Sequence, residues 1–145
     1  MTGLPKEAEL TMPRTRFAVF LLLVLSAAPD RAGAEAPVFD PASPFRVGEG
    51  FAEVPATCDT LQGWMDRAPA YDGRYSMTIT GALASSQWDG ALAYLSMCDP
   101  AGPRVICVTY QPHEVDPQVS VLLAGGYQRI DEKTVLLDPC LAYDE

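Results

Sequence analysis

Residues 119–140 read VSVLLAGGYQRIDEKTVLLDPC. Val119, Val121 and Leu123 alternate with their neighbours, the two-residue period of a strand with one buried face. Gly125-Gly126 then bends the chain, and Tyr127 and Ile130 lead into a turn at Asp131-Glu132-Lys133. Val135 and Leu137 alternate in the returning strand, Asp138-Pro139 stops it, and Cys140 ties the end down. Every feature has a folding reason, so the stretch reads as scaffold rather than site. Leu141 and Tyr143 are expected to dock beyond it, with Asp144-Glu145 in water.

The same period runs upstream. RYSMTITGALAS, residues 74–85, places Tyr75, Met77, Ile79, Gly81 and Leu83 on one face, with Ser76, Thr78 and Thr80 opposite. SSQWDG (85–90) reads as a turn, ALAYLSMC (91–98) as a second strand, DPAGP (99–103) as a turn and RVICVTY (104–110) as a third strand. QPHEVDP (111–117), with two prolines, makes a longer connection. Before these strands, TCDTLQGWMDRAP (57–69) reads as one short helix. Thr57 or Asp59 caps it, Leu61, Trp64 and Met65 share a face, and Pro69 ends it. Residues 35–56 hold four prolines and no sustained period, an extended arm laid across the domain through Phe39, Phe45 and Phe51.

The N-terminus has a different character. Arg14 and Arg16 precede a 12-residue apolar run, Phe17 to Ala28, followed by Ala32-Gly33-Ala34. A basic start, a short apolar core and an A-x-A site describe a secretory signal. The run is too short to span a bilayer, which takes about 20 apolar residues. Residues 1–34 are therefore expected to be a signal peptide cleaved after Ala34, with residues 1–11 an upstream start artefact. The expected mature protein is periplasmic or secreted, has no stable membrane anchor, and forms one small disulfide-bonded β domain over residues 57–145.

The chain of 145 residues carries a net charge of −9. Residues 1–34 hold four basic and three acidic residues, so the remainder has six basic against sixteen acidic, a net −10. Such a surface repels phosphate backbones and anionic membranes. Nucleic acid is thus not an expected partner, whereas basic proteins, cations and neutral ligands are compatible with the charge. Cys58, Cys98, Cys107 and Cys140, spaced by 40, 9 and 33, suit two disulfides in an exported domain. Cys98–Cys107 across a hairpin with Cys58–Cys140 is the preferred pairing, and Cys58–Cys98 with Cys107–Cys140 the close alternative. Zinc needs nearer cysteine pairs and usually histidine. The one histidine is His113, and no metal site is expected.

Five strands with glycines inside two of them, Gly81 and Gly125, fit a small barrel, which needs bends to close. The pattern over residues 71–142 resembles an OB-fold: MTITGAL as its first strand, VSVLLAGGY as its fourth and TVLLDP as its fifth. The helix usual between strands three and four is missing or reduced to HEVDP. An open meander or small sandwich therefore remains an alternative within the same mainly β class. The resemblance implies a ligand face on strands two and three and the flanking loops. On that face Trp88, Tyr94 and Tyr110 are the candidates, against the simpler reading that they fill the core.

No catalytic motif is present. There is no G-x-S-x-G, P-loop or dinucleotide fingerprint, and hence no expected cofactor. His113, beside Glu114 in a proline-flanked loop, reads as a solvated residue. Turn aspartates such as Asp89, Asp116 and Asp131 ordinarily bond their own backbone rather than calcium. The expected function is an exported, non-catalytic binding or protein-interaction module. Its partner would be an envelope or periplasmic protein with a basic surface, which it could serve as accessory subunit or inhibitor. The alternative is a small secreted hydrolase using paired carboxylates, which requires an acid with a strongly perturbed proton affinity in a cleft.

Overall fold

A computed structural model describes residues 39–145. The signal-peptide reading of residues 1–34 and the first residues of the arm lie outside the described residues. The elements are β1 (Phe45–Val47), α1 (Leu61–Asp66), β2 (Tyr75–Gly81), β3 (Leu83–Trp88), β4 (Ala93–Cys98), β5 (Arg104–Thr109), β6 (Val121–Arg129) and β7 (Thr134–Asp144). They form one sheet in the order β1-β2-β6-β7-β5-β4-β3. All pairings are antiparallel except β5 with β7, which run parallel with Arg104 opposite Thr134 and Cys107 opposite Leu137.

β2 and β3 are separated only by Ala82, so they act as one long strand bent after Gly81. Its first half pairs with β6 and its second half with β4. The sheet therefore returns to its own starting strand and closes into an OB-like barrel. Alternation follows from this closure: Leu95 and Met97 of β4, Val105 and Cys107 of β5, and Val135 and Leu137 of β7 point into one buried core.

The five expected strands are thus present, with the first in two parts and a short extra strand from the arm. SSQWDG, read as a turn, instead extends β3 to Trp88, and the turn is Asp89–Leu92, in which the Asp89 N–H donates to the Leu92 carbonyl. Its serines are polar because they lie outside the core, where the Ser85 and Ser96 hydroxyls bond at 2.6 Å. Asp138-Pro139 does not stop the last strand, which runs on to Asp144. The ladder shifts register between Gly125 and Tyr127, and Pro139, which has no N–H to donate, falls at this irregularity. No helix lies between β5 and β6; α1, upstream of the barrel, buries Leu61 and Met65 in the core instead. The residue at its N-terminus is Thr60, not Thr57 or Asp59, and the Thr60 hydroxyl bonds back to Thr57 rather than capping the helix.

The arm is part of the barrel wall. β1 pairs with the edge of β2 that β6 leaves free. Further along that edge the Ala56 N–H donates to the Thr78 carbonyl, and its carbonyl accepts from Thr80, both at 2.9 Å. Phe45 is 1% exposed and meets Trp64, Tyr75 and Tyr127 edge-on, while Phe39 packs edge-on against Tyr71 and Tyr75. Of the three arm phenylalanines only Phe51 remains exposed.

The disulfides are Cys58–Cys98 and Cys107–Cys140, and the preferred hairpin pairing is overturned. The β4–β5 register explains why. Cys98 stands opposite Arg104, whereas Cys107 stands opposite Leu95 and faces the core. The two thiols lie on opposite faces and three residue positions apart, beyond the reach of a bond. Cys58–Cys98 fastens the start of the α1 segment to the end of β4, and Cys107–Cys140 ties β5 to β7 inside the barrel.

Candidate functional site

The outer face of β3-β4-β5 collects the side chains the core does not take. Parity sets Tyr94, Ser96 and Cys98 of β4 outward, beside Arg104, Ile106 and Val108 of β5. Tyr94 lies opposite Val108, and Tyr110 follows at the bend just beyond the end of β5. Tyr94 is 38% and Tyr110 75% exposed, so neither fills the core. Trp88, 48% exposed, is not on this face. It pairs with the buried Ala93, which puts it at the barrel rim on the inward side, and Gln87 is the residue opposite Tyr94. The structure thus places Tyr94 on this face, Tyr110 at the bend beyond the end of β5, and Trp88 on the inward side.

Tyr94 is held in place by the turn before it. Its hydroxyl donates to Asp89 Oδ2 at 3.1 Å, while Asp89 Oδ1 accepts from the N–H groups of Ala91 and Leu92, both at 2.8 Å. The backbone donors, Leu92 first, lower the proton affinity of Asp89, and the adjoining carboxylate raises that of the Tyr94 phenol. Beside it is a depression of about 290 Å³ lined by Ser85, Gln87, Ser96, Arg104 and Ile106 among others. Arg104 is steadied by an Nε bond to Thr134 Oγ1 at 3.3 Å. Hydroxyls, an amide, a guanidinium and the Tyr94 phenol make a face equipped to bind by hydrogen bonding and aromatic contact.

His113 is not a free loop side chain. It is partly buried, and its Nε2 lies 3.6 Å from the Asp144 carboxylate at the end of β7. Among the described residues three carboxylates have shifted proton affinities: Asp89, Asp131 and Glu145. All are lowered, Asp131 chiefly by the Lys133 N–H and Glu145 by the hydroxyls of Thr80 and Ser120. A general acid needs the opposite shift. Among the described residues no group of three or more histidine, cysteine, aspartate or glutamate side chains is arranged to hold a metal ion.

Sequence reasoning missed a second cavity on the other wall. Glu49, Gly50 and Phe51 of the arm overhang Gly125-Gly126 of β6 and Pro139 and Leu141 of β7, enclosing about 340 Å³. Phe51 meets Tyr143 edge-on at 5.5 Å. The C-terminal end of the stretch read as scaffold thus supplies one side of a groove. Its apolar residues gave a signal in Leu141 and Tyr143, but their partner Phe51 lies ninety residues upstream, where only the fold connects them.

No protein-family model matches the chain, and no curated protein matches it. Among solved structures, the crystal structure of the S. pombe Stn1-Ten1 complex contains a chain similar to this one at 13% identity with a TM-score of 0.33. The match covers 48% of this chain and 58% of that one, so the likeness spans little more than half the length of its counterpart.

Proposed function

We propose that the protein is an exported, non-catalytic binding module that engages an envelope protein through the outer face of β3-β4-β5. The observation that carries this reading is Tyr94, exposed on the sheet face beside a polar depression, with Tyr110 still more exposed just beyond the end of β5. Tyrosines in such a position supply large contact area at low entropic cost, and they anchor protein interfaces. The Asp89–Tyr94 bond orders one of them before any partner arrives. The net −10 of residues 35–145 favours a partner with a basic surface and faster encounter at low salt. The alternative of a carboxylate hydrolase draws no support from Asp89, Asp131 or Glu145, whose shifts favour the ionised form.

The test is affinity capture from an envelope extract at low salt, with the wild type and the Tyr94→Ser/Tyr110→Ser double variant run in parallel. A stoichiometric partner held by the wild type and lost from the variant supports the reading. Capture of the same proteins by both, or by neither, removes this face from the account.

A further inference from the structure

β3 is an open edge of the sheet: it pairs with β4 and, among the described residues, with no strand on its other side. We infer that this edge is a self-association site, where two copies of the chain pair β3 with β3 antiparallel about a two-fold axis at Gln87. The inference stands apart from the outer face of Tyr94, which edge pairing leaves uncovered.

The ladder register fixes which groups the edge offers. The Asp89 N–H donates to the Leu92 carbonyl at 3.1 Å, so these two are a hydrogen-bonded pair. Such pairs alternate along an antiparallel ladder. Gln87 with Tyr94 and Ser85 with Ser96 therefore exchange bonds, while Ser86 and Trp88 turn their N–H and C=O groups away from β4. A two-fold axis at Gln87 sets Ser86 of each copy opposite Trp88 of the other. Each copy then donates twice and accepts twice, and every backbone group that Ser86 and Trp88 present is satisfied.

Sheet edges are ordinarily guarded by charge, proline or shortness. β1, at the other end of the strand order, is guarded in this way. It is three residues long and carries Arg46, whose guanidinium donates to the carbonyls of Pro41 at 2.9 Å and Ser43 at 3.0 Å. β3 is six residues long, and Leu83–Trp88 holds neither a charge nor a proline. Its register irregularity lies between Leu83 and Ser85, which leaves Ser85 to Trp88 regular. Half-exposed Trp88 adds apolar surface at the same edge.

Charge selects the occupant. The fourteen residues from Tyr75 to Trp88 are the longest uncharged run in residues 35–145, which otherwise carry a net −10. Two acidic chains meet here without opposing carboxylates, whereas a basic segment finds no anion on β3 to pair with. Asp89, next along, falls opposite Ser85 of the second copy, and both its oxygens are engaged within its own hairpin. The hydroxyls of Ser85 and Ser86 and the amide of Gln87 both donate and accept, so they match their own copies. An edge closed by a two-fold also leaves no further edge of its kind open, which limits the assembly to a dimer.

The test is sedimentation of the full chain at concentrations up to about 1 mM, because one strand pair is a small interface and a dissociation constant on the order of 100 μM is expected. Ser86→Pro removes a donor from the open side only, where proline is tolerated, and should weaken the dimer about tenfold or more. Gln87→Lys and Gln87→Glu each set like charges opposite one another at the axis, and each should weaken it severalfold. An equimolar mixture of the two should restore association as a heterodimer. Gln87 is exposed, so this pair of variants keeps the fold even where the proline does not. A chain monomeric at 1 mM, association indifferent to all three substitutions, or a mixture no tighter than its components would each overturn the inference. Tyr94→Ser with Tyr110→Ser should leave the dimer intact, so loss of a captured partner does not bear on it.

Discussion

Gly125 and Cys140 face each other across β6 and β7 with no room for a side chain on the glycine: a Cβ there would stand 2.9 Å from the Cys140 Cα. The obstacle is backbone and cannot swing aside. Gly125→Ala is therefore expected to cost about 1–3 kcal/mol, a fall in Tm of several degrees for a domain of this size. Gly81→Ala is the control, because its Cβ would meet the Met97 sulfur at an ordinary 3.4 Å. Thermal unfolding of the two variants checks the contrast, and equal losses would remove the steric argument.

Trypsin cuts between all four cysteines. Without reduction, residues 47–67 should travel with 75–104, and 105–129 with 134–145. A peptide joining 75–104 to 105–129 would restore the hairpin pairing. Replacing Cys107 and Cys140 together by alanine should cost roughly 2–4 kcal/mol in denaturant unfolding.

Phe45→Ala tests whether the arm belongs to the domain. The ring is fully buried and meets side chains of α1, β2 and β6. Its loss should cost roughly 3–5 kcal/mol, whereas Phe51→Ala, exposed, should change stability little. A Phe45 variant as stable as wild type would mean that the arm merely rests on the barrel.

Burial pushes the Tyr127 phenol up to about 12, and burial also raises Tyr75, on which it stacks at 5.2 Å. The folded protein thus holds a proton that the unfolded chain releases near pH 10. The stabilisation is fully present below pH 10 and is lost as pH rises from there towards 12. Tyr127→Phe should flatten that alkaline fall. It should also be no less stable at neutral pH, since the buried hydroxyl has no partner. Unfolding midpoints between pH 9 and 12 decide it.

The acid limb has the opposite sign. Asp89 and Asp131, lowered by backbone donors in their turns, contribute above the ordinary carboxylate range, and their contribution is lost as pH falls through the lowered values. Asp131→Asn should reduce the drop in Tm between pH 5 and 2. An unchanged acid profile would show that these bonds persist in the unfolded chain.

Strands and helix were legible because each carries its own period: Val135 and Leu137 announce β7 wherever it pairs. What lay beyond reach was pairing between distant segments. The parity of Cys98 and Cys107 depends on a register that the turn DPAGP does not specify. β1 is three residues long and shows no alternation; it exists because β2 has an edge to fill. Serines at 85 and 86 look like turn residues until their place outside the core is known. The outward placing of Tyr94 followed from strand alternation, whereas Trp88 fell to the other side through the irregular register between Leu83 and Ser85. The groove had no local signature, since its walls come from residues 49–51 and 124–141.

β7 is the one strand that joins β1-β2-β6 to β5-β4-β3 through hydrogen bonds. Until it arrives, two half-sheets share only the bent β2–β3 strand. The disulfides match that order, because each links a cysteine to the next one along the chain. A chain oxidised strictly in order of appearance, N-terminus first, would join Cys58 to Cys98 and then Cys107 to Cys140, so the native bridges are the pair that such an order would give without reshuffling.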